Sequence, residues 1–181
     1  MPAAVPTHHS PSAVHLRRTV PADIPALFRM QLDPVGNELA GTKPRDRAAF
    51  ETVWEGILRE SSGASNGVTP RVILAEGALV GSINVFPQEG TDSVGYWIAR
   101  EHWGRGIATR AIGLLMEEVR TRPLFARVVA HNTASLRALQ RNGFVITARY
   151  DRPASDRYVA AEILVLTLDG PAAASDPDRP R

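Results

Sequence analysis

Two glycines flank an arginine where an apolar segment runs into an amphipathic one, in WGRGIAT (Trp103–Thr109). Amides at the start of a helix lack intrahelical partners and carry the positive end of the helix dipole. Glycine allows positive φ and close approach of the backbone to an anion. The amides from Gly104 to Thr109, with Arg105 beside them, are therefore typical of a phosphate-binding turn. The same glycines would also suit a simple tight strand-to-helix turn.

The spacing matches neither of the common nucleotide-binding loops. A Walker A loop requires G-x-x-x-x-G-K-[ST], which the chain lacks. The dinucleotide fingerprint G-x-G-x-x-G fits only partly, because Thr109 stands at the third glycine position. A short glycine motif is a weak indication by itself, so the surrounding elements have to decide between the two alternatives.

Apolar spacing and turn residues predict the order βααβββαβαββ around WGRGIAT. This order mixes hairpins with one crossover, so we expect an α+β fold with a mixed, mostly antiparallel sheet of about seven strands and about four helices. Strands are predicted over 13–20, 71–86 (a hairpin turning at Glu76 and Gly77), 93–99, 124–130, 144–151 and 158–168, and helices over 21–33, 44–60, 106–120 and 132–143.

Composition narrows the function classes. The chain has 181 residues, 44% of them hydrophobic and 22% charged, as is usual for one soluble globular domain. The absence of cysteine excludes disulfides, thiolate metal sites and a cysteine nucleophile, and the five histidines show no spacing that predicts a metal site. A net charge of +2 is too small to predict a nucleic-acid partner.

The ends of the chain differ from the part between them. Residues 1–12 and 169–181 are rich in proline and alanine, and we expect them to be disordered tails around a single domain over 13–168. No apolar run approaches the roughly 18 residues of a membrane span. The first residues lack the basic start and apolar stretch of a signal peptide. We therefore expect a cytoplasmic protein without a membrane partner.

The segment YWIAREHWGRGIAT, followed after one predicted strand by NTASLRALQRNGF, resembles the GNAT acetyltransferases. Within that family it is most similar to the branch containing ribosomal-protein alanine N-acetyltransferases. The family's loop pattern R/Q-x-x-G-x-G/A lies on 103–108, with Trp103 where many members have Arg or Gln. The element order agrees from about Val14 to Leu168. Two linked motifs at this separation are a much stronger indication than either one alone.

The resemblance implies that acetyl-CoA is bound as co-substrate, without a metal. The pantetheine chain would pair with the backbone of the strand before the loop, and the pyrophosphate would bind the loop amides. Arg105 and Arg110 would partly replace the side chain that Trp103 lacks. Asn132 is either only a helix N-cap or also a cofactor ligand. The implied cofactor-binding residues are Tyr96, Trp97, Ile98, Trp103, Gly104, Arg105, Gly106, Ile107, Ala108, Thr109, Asn132 and Ser135.

The resemblance also implies the catalytic acid. Many members use a tyrosine to protonate the leaving thiolate, but Leu139 occupies that position here. The related branch is thought to use a serine three residues after the asparagine, which is Ser135. The general base is left open between a water chain, Glu38 in the predicted inter-helix segment, and the carboxylates Glu51, Glu89 and Asp92.

The function expected on these grounds is an N-acetyltransferase in which a primary amine attacks acetyl-CoA directly. The acceptor is expected to be a protein N-terminal α-amine. The alternatives are acetylation of a small-molecule amine and a catalytically silent acyl-CoA-binding module. An exposed strand edge leaves monomer and homodimer both open.

Overall fold

The computed structural model describes residues 13–62 and 70–170. The predicted tails, 1–12 and 169–181, lie outside the described residues except for Asp169 and Gly170. In the described part, no helix is long and apolar enough to cross a membrane.

Within the described residues, seven strands form one sheet in the order β1-β2-β3-β4-β5-β7-β6, and five α-helices surround it. Neighbouring strands are antiparallel except β4 and β5, which are parallel. This confirms the predicted mixed α+β fold. The strands are β1 Val14–Arg18, β2 Arg71–Ala75, β3 Ala78–Gln88, β4 Thr91–Ile98, β5 Leu124–Val129, β6 Val145–Arg152 and β7 Ala161–Leu168. The helices are α1 Ile24–Gln31, α2 Pro34–Ala40, α3 Arg47–Ser62, α4 Ile107–Glu118 and α5 Thr133–Gln140.

Helix α2 lies in the segment that the sequence pattern assigned to an inter-helix connection. Asp33 is its N-cap and accepts a hydrogen bond from the amide of Gly36 at 3.0 Å. The helix ends at Gly41, whose φ is +61°. Its buried positions are Gly36 and Asn37 rather than an apolar stripe. The helical period of apolar residues is therefore missing, which explains why four helices were predicted and five are found.

The two faces of the sheet carry different hydrophobic clusters. Adjacent residues of a strand point to opposite faces, and on β2 Ile73 belongs to the larger cluster while Val72 belongs to the smaller one. Helices α4 and α5 pack into the larger cluster, and α1 and α3 pack into the smaller one. On α4, Ile112 is fully buried, whereas Leu114 is only partly buried.

Strands β4 and β5 separate soon after they meet. They share a single parallel bridge, between Ser93 and Phe125. By contrast, β3 and β4 stay paired along their length, from the pair of Gly81 with Ile98 to the pair of Gln88 with Thr91. From Val94 onward, β4 therefore loses its partner on one side, and its backbone polar groups face a gap in the sheet.

Candidate active site

The gap between β4 and β5 opens into a cleft of about 490 Å³. Its walls come from both faces of the sheet, because α2 contributes on one side and α4 and α5 contribute on the other. The lining residues are Gly36, Leu39 and Ala40 of α2, Val94–Ile98 of β4, Ala126–Val129 of β5, the loop and helix residues His102, Trp103, Gly104, Gly106, Ile107, Ala108 and Thr109, and Asn132, Ala134, Ser135, Arg137, Ala138, Leu139 and Arg141 at α5.

The loop that enters α4 has the backbone geometry of an anion site. φ is +74° at Gly104 and +72° at Gly106, and a Cβ at either position would meet no described heavy atom within 4 Å. Glycine is needed here for the left-handed backbone and not because space is short. Gly106 is the N-cap and has no side chain with which to cap the helix. The first-turn amides of α4 therefore have neither an intrahelical partner nor a side-chain cap.

Trp103 closes this loop instead of contributing charge. Its indole Nε1 donates a hydrogen bond to the carbonyl of Ile98 at 2.8 Å, which ties the loop to the end of β4. Three arginines line the cleft: Arg127 of β5, which pairs with Glu89, and Arg137 and Arg141, which lie one helical turn apart at α5. Arg105 and Arg110, the substitutes predicted from the sequence, are both exposed and are not among the lining residues.

Two hydroxyl groups meet on the α5 side of the cleft. The phenol Oη of Tyr96 donates a hydrogen bond to Ser135 Oγ at 2.9 Å. Burial raises the pKa of Tyr96, and the smaller, opposite effect comes from its hydrogen bond to Ser135. The phenol therefore stays protonated and keeps donating to Ser135 across the neutral range. The sequence predicted backbone contacts for Tyr96 and gave no signal for its hydroxyl.

Asn132 connects the two walls of the cleft. Its Oδ1 accepts the amide of Ser135 at 3.1 Å, so the expected N-cap is confirmed. Its Nδ2 donates to the carbonyl of Leu39 on α2 at 3.2 Å. These two bonds hold α5 and α2 at a set separation. Leu139 is buried to 1% exposure and has no group that could donate a proton.

The indole of Trp97 lies on the opposite face from the phenol of Tyr96, as adjacent strand residues must. Trp97 Nε1 donates to the carbonyl of Met30 at 3.1 Å. A Cβ at Gly36 would lie 2.6 Å from Trp97 Cζ2, so α2 packs directly on the ring. The backbones of Tyr96, Trp97 and Ile98 remain along the open side of β4, as the predicted pantetheine contacts require.

None of the acidic residues that the structure describes lines the cleft. Glu38 is exposed on α2, next to the lining residue Leu39. The other candidate bases do not line the cleft either. Glu51 pairs with Arg47 at 2.8 Å, Glu89 pairs with Arg127 at 3.0 Å, and Asp92 lies in β4 before the splay.

His102 is a cleft residue that the sequence analysis did not select. Its Nδ1 is buried and has no hydrogen-bond partner among the described residues. The only feature of the sequence that could have pointed to His102 is its position directly before the glycine loop. In the described ranges, no group of histidine and acidic side chains could hold a metal ion.

Comparison with known proteins agrees with this geometry. Residues 13–145 match the family model of the acetyltransferase (GNAT) domain. No curated protein sequence matches the chain. Among solved structures, RimJ from Mycobacterium smegmatis, in complex with CoA-disulfide, has a TM-score of 0.70 and 22% identity, covering 86% of this chain and 81% of the other.

Two further solved structures share the fold. The ribosomal-protein-alanine N-acetyltransferase from Brucella melitensis has a TM-score of 0.70 and 24% identity, covering 86% of this chain and 99% of the other. An acetyltransferase from Salmonella typhimurium that modifies the N-terminal serine of the 50S ribosomal subunit protein L7/L12 has a TM-score of 0.70 and 18% identity, covering 90% of this chain and 97% of the other. At these identities the likeness concerns the fold.

Proposed function

Because the chain belongs to the GNAT acetyltransferase family, whose members transfer acetyl groups from acetyl-CoA to amines, we propose that it acetylates the N-terminal α-amine of a protein. The names of two fold neighbours support this acceptor class, since they record acetylation of ribosomal proteins, one of them at an N-terminal serine. The proposal includes a cytoplasmic location, no nucleic-acid partner, and a monomer or homodimer as the acting species.

The cleft has the features that acetyl-CoA requires. The first-turn amides of α4 would hold the pyrophosphate, with Arg137 and Arg141 supplying charge beside them. The unpaired edge of β4 would hydrogen-bond the amides of pantetheine as an added strand does. Acetyl-CoA supplies a thioester, whose carbonyl carbon the acceptor amine attacks directly. A backbone amide of β4 would stabilise the negative charge that develops on the carbonyl oxygen.

The hydrogen bond between Tyr96 and Ser135 is the observation that carries the catalytic assignment. Tyr96 occupies one lone pair of Ser135 Oγ, so the serine proton is free to point into the cleft. When the carbon–nitrogen bond forms and the carbon–sulfur bond breaks, Ser135 donates this proton to the departing sulfur. Tyr96 orients the serine and, through its hydrogen bond, stabilises the charge left on the serine oxygen until solvent water returns a proton to it. Asn132 sets the position of Ser135 through its amide.

The attacking amine also has to lose a proton. In the described part of the chain no carboxylate lines the cleft, so the proton first passes to water. Glu38 is the candidate that receives it from that water, since its neighbour Leu39 forms part of the wall.

Replacement of Ser135 by Ala tests the proposed acid. The lack of cysteine in the chain makes released CoA the one thiol in the assay. Ser135→Ala should lower kcat about 100-fold or more, the range for a lost general acid, and leave the Kd of acetyl-CoA unchanged. Tyr96→Phe should cause a smaller loss of the same kind. Thr133→Ala, at an exposed position of the same helix, is the matched control.

Three results would contradict the proposal. Full activity of Ser135→Ala would remove its catalytic role. Turnover with small amines and none with peptides would move the acceptor to the small-molecule class. Binding of acetyl-CoA without turnover of any amine would make the protein a silent binding module.

A further inference from the structure

A second, smaller cavity of about 120 Å³ lies on the α1 and α3 side of the sheet. Trp97 borders both this cavity and the large cleft. Most of the residues that line the small cavity are apolar or aromatic, but two of them are arginines. The lining residues are Leu27, Met30, Gln31, Arg45, Phe50, Trp54, Ser82, Trp97 and Arg157.

Hydrogen bonds fix the backbone of Arg45 and the side chain of Arg157. The side chain of Gln31, which is 7% exposed, accepts the amide of Arg45 at 3.1 Å and donates to its carbonyl at 2.9 Å. The guanidinium of Arg157 donates to the carbonyl of Lys43, and the amide of Lys43 donates to the carbonyl of Arg157 at 2.8 Å. The connection between α2 and α3 is thus bonded to the one between β6 and β7. The backbone of Arg45 and the guanidinium of Arg157 are therefore positioned before any ligand arrives.

The arginines have no counter-charge within the described residues. None of the ion pairs there involves Arg45, Arg157 or their cationic neighbours Lys43 and Arg152. The guanidinium of Arg45 makes no hydrogen bond to the described chain. Burial lowers the pKa of Arg157, the charge of Arg45 lowers it further, and a smaller lowering by Arg152 is opposed by the neighbouring Tyr158, which raises it. Like charges collected in a partly apolar site without an acid are unfavourable, and a bound anion would relieve this.

The position of the small cavity relative to the cleft bears on the path of the acceptor amine. The glycine loop and Ser135 lie on the α4 and α5 face, so the thioester would enter the gap in the sheet from that side. Helix α2 and Trp97 form the wall of the same cleft on the other face. An amine that approaches from that face would come next to Trp97, which also borders the small cavity.

We propose that this cavity binds a carboxylate that the acceptor carries a few bonds from its amine, so that the protein selects acidic N-terminal segments. Arg45 and Arg157 would pair with the carboxylate, and the aromatic walls Phe50, Trp54 and Trp97 would keep water away and strengthen the pairing. This selectivity presupposes the proposed acetylation of amines, and it adds the chemical class of the acceptor.

The test uses short peptides that begin with serine and differ only at the second residue, as Glu, Gln or Lys. Turnover is measured by released CoA, and binding is measured separately by titrating the peptides into protein saturated with CoA. Wild type should favour the Glu peptide over the Gln peptide about tenfold in kcat/KM and in Kd, as one charge-assisted hydrogen bond allows. Free glutamate, titrated in the same way, distinguishes a carboxylate on a peptide from one on a small amine.

The variants are Arg45→Gln and Arg157→Gln, with Arg120→Gln as a control, because Arg120 is exposed and lines neither cavity. Arg45→Gln is the cleaner change, since its side chain has no described partner to lose. Both variants should abolish the preference for Glu over Gln while the KM of acetyl-CoA stays unchanged. High salt should weaken the preference in wild type.

The outcomes separate this inference from the proposed function. Equal turnover of the Glu and Gln peptides, or a preference that survives in both arginine variants, overturns the acidic selectivity and leaves the acetyltransferase standing. Selective binding of the Glu peptide without turnover of any of the three peptides supports the cavity and overturns the proposed function. Failure of all three peptides both to bind and to react overturns both.

Discussion

The two loop glycines allow a sharp test of the phosphate site, because each combines a left-handed backbone with open space. A side chain at Gly104 or Gly106 would meet no described heavy atom within 4 Å, so the penalty of substitution comes from the backbone alone. With φ at +72°, Gly106→Ala is expected to lower the free energy of unfolding by about 1–2 kcal/mol, the penalty for an L-residue in this region.

The same change should weaken the binding of acetyl-CoA. The strain is relieved when the peptide turns out of the left-handed region, and this rotation moves the first-turn amides of α4 away from the pyrophosphate. One lost hydrogen bond to a charged oxygen is worth about 1.5–3 kcal/mol. The Kd of acetyl-CoA should therefore rise about 10- to 100-fold.

Gly77 in the β2–β3 hairpin is a matched control. Its φ is +81°, and a Cβ there would also have no described atom within 4 Å, but the hairpin lies outside the cleft. Thermal unfolding and calorimetric titration with acetyl-CoA are measured for wild type, Gly77→Ala and Gly106→Ala. Both variants should melt roughly 2–8 °C below wild type. Only Gly106→Ala should lose affinity.

One result would refute this reasoning. If Gly106→Ala melts like Gly77→Ala and still binds acetyl-CoA as tightly as wild type, the glycines serve only the strand-to-helix turn. The loop would then not be the phosphate site, and the placement of acetyl-CoA in the cleft would lose its main support.

Three further substitutions test other parts of the structure. Glu38→Gln should lower kcat/KM. The loss should shrink above about pH 8, where most of the α-amine is already neutral and needs no base before it attacks. An unchanged rate would leave water as the only proton acceptor. Hydrogen bonds from Arg17 hold the pKa of Asp23 below its usual range. The pair therefore stabilises the fold fully at pH values above the usual pKa of an aspartate, and this stabilisation is lost as the pH falls through the lowered pKa. Asp23→Asn should therefore lower the free energy of unfolding by about 1–3 kcal/mol at neutral pH and much less in acid, as measured by urea titration; an equal loss at both pH values would contradict the pairing. Gly36→Ala places a Cβ 2.6 Å from the Trp97 ring. The substitution should therefore lower the free energy of unfolding by about 1–3 kcal/mol and shift the tryptophan fluorescence. Unchanged spectra would show that the ring is not displaced.

Features that depend on near neighbours in the chain could be predicted. The glycine turn before α4, the N-cap at Asn132 and the hairpin at Gly77 follow from the chemistry of a few adjacent residues. The strands and longer helices follow from apolar spacing. Helix α2 was missed because its buried residues are glycine and asparagine, which carry no apolar period.

Features that depend on strand order and helix docking were decided by the tertiary structure. Tyr96 and Ser135 are 39 positions apart, and they meet because β4 splays from β5 and α5 packs beside the gap. Arg45 and Arg157 come together because two distant connections are hydrogen-bonded to each other. The sequence by itself determined the turn that suits a phosphate, since its geometry is local. Which side chains face one another across the cleft depends on long-range pairing, which no short pattern in the chain encodes.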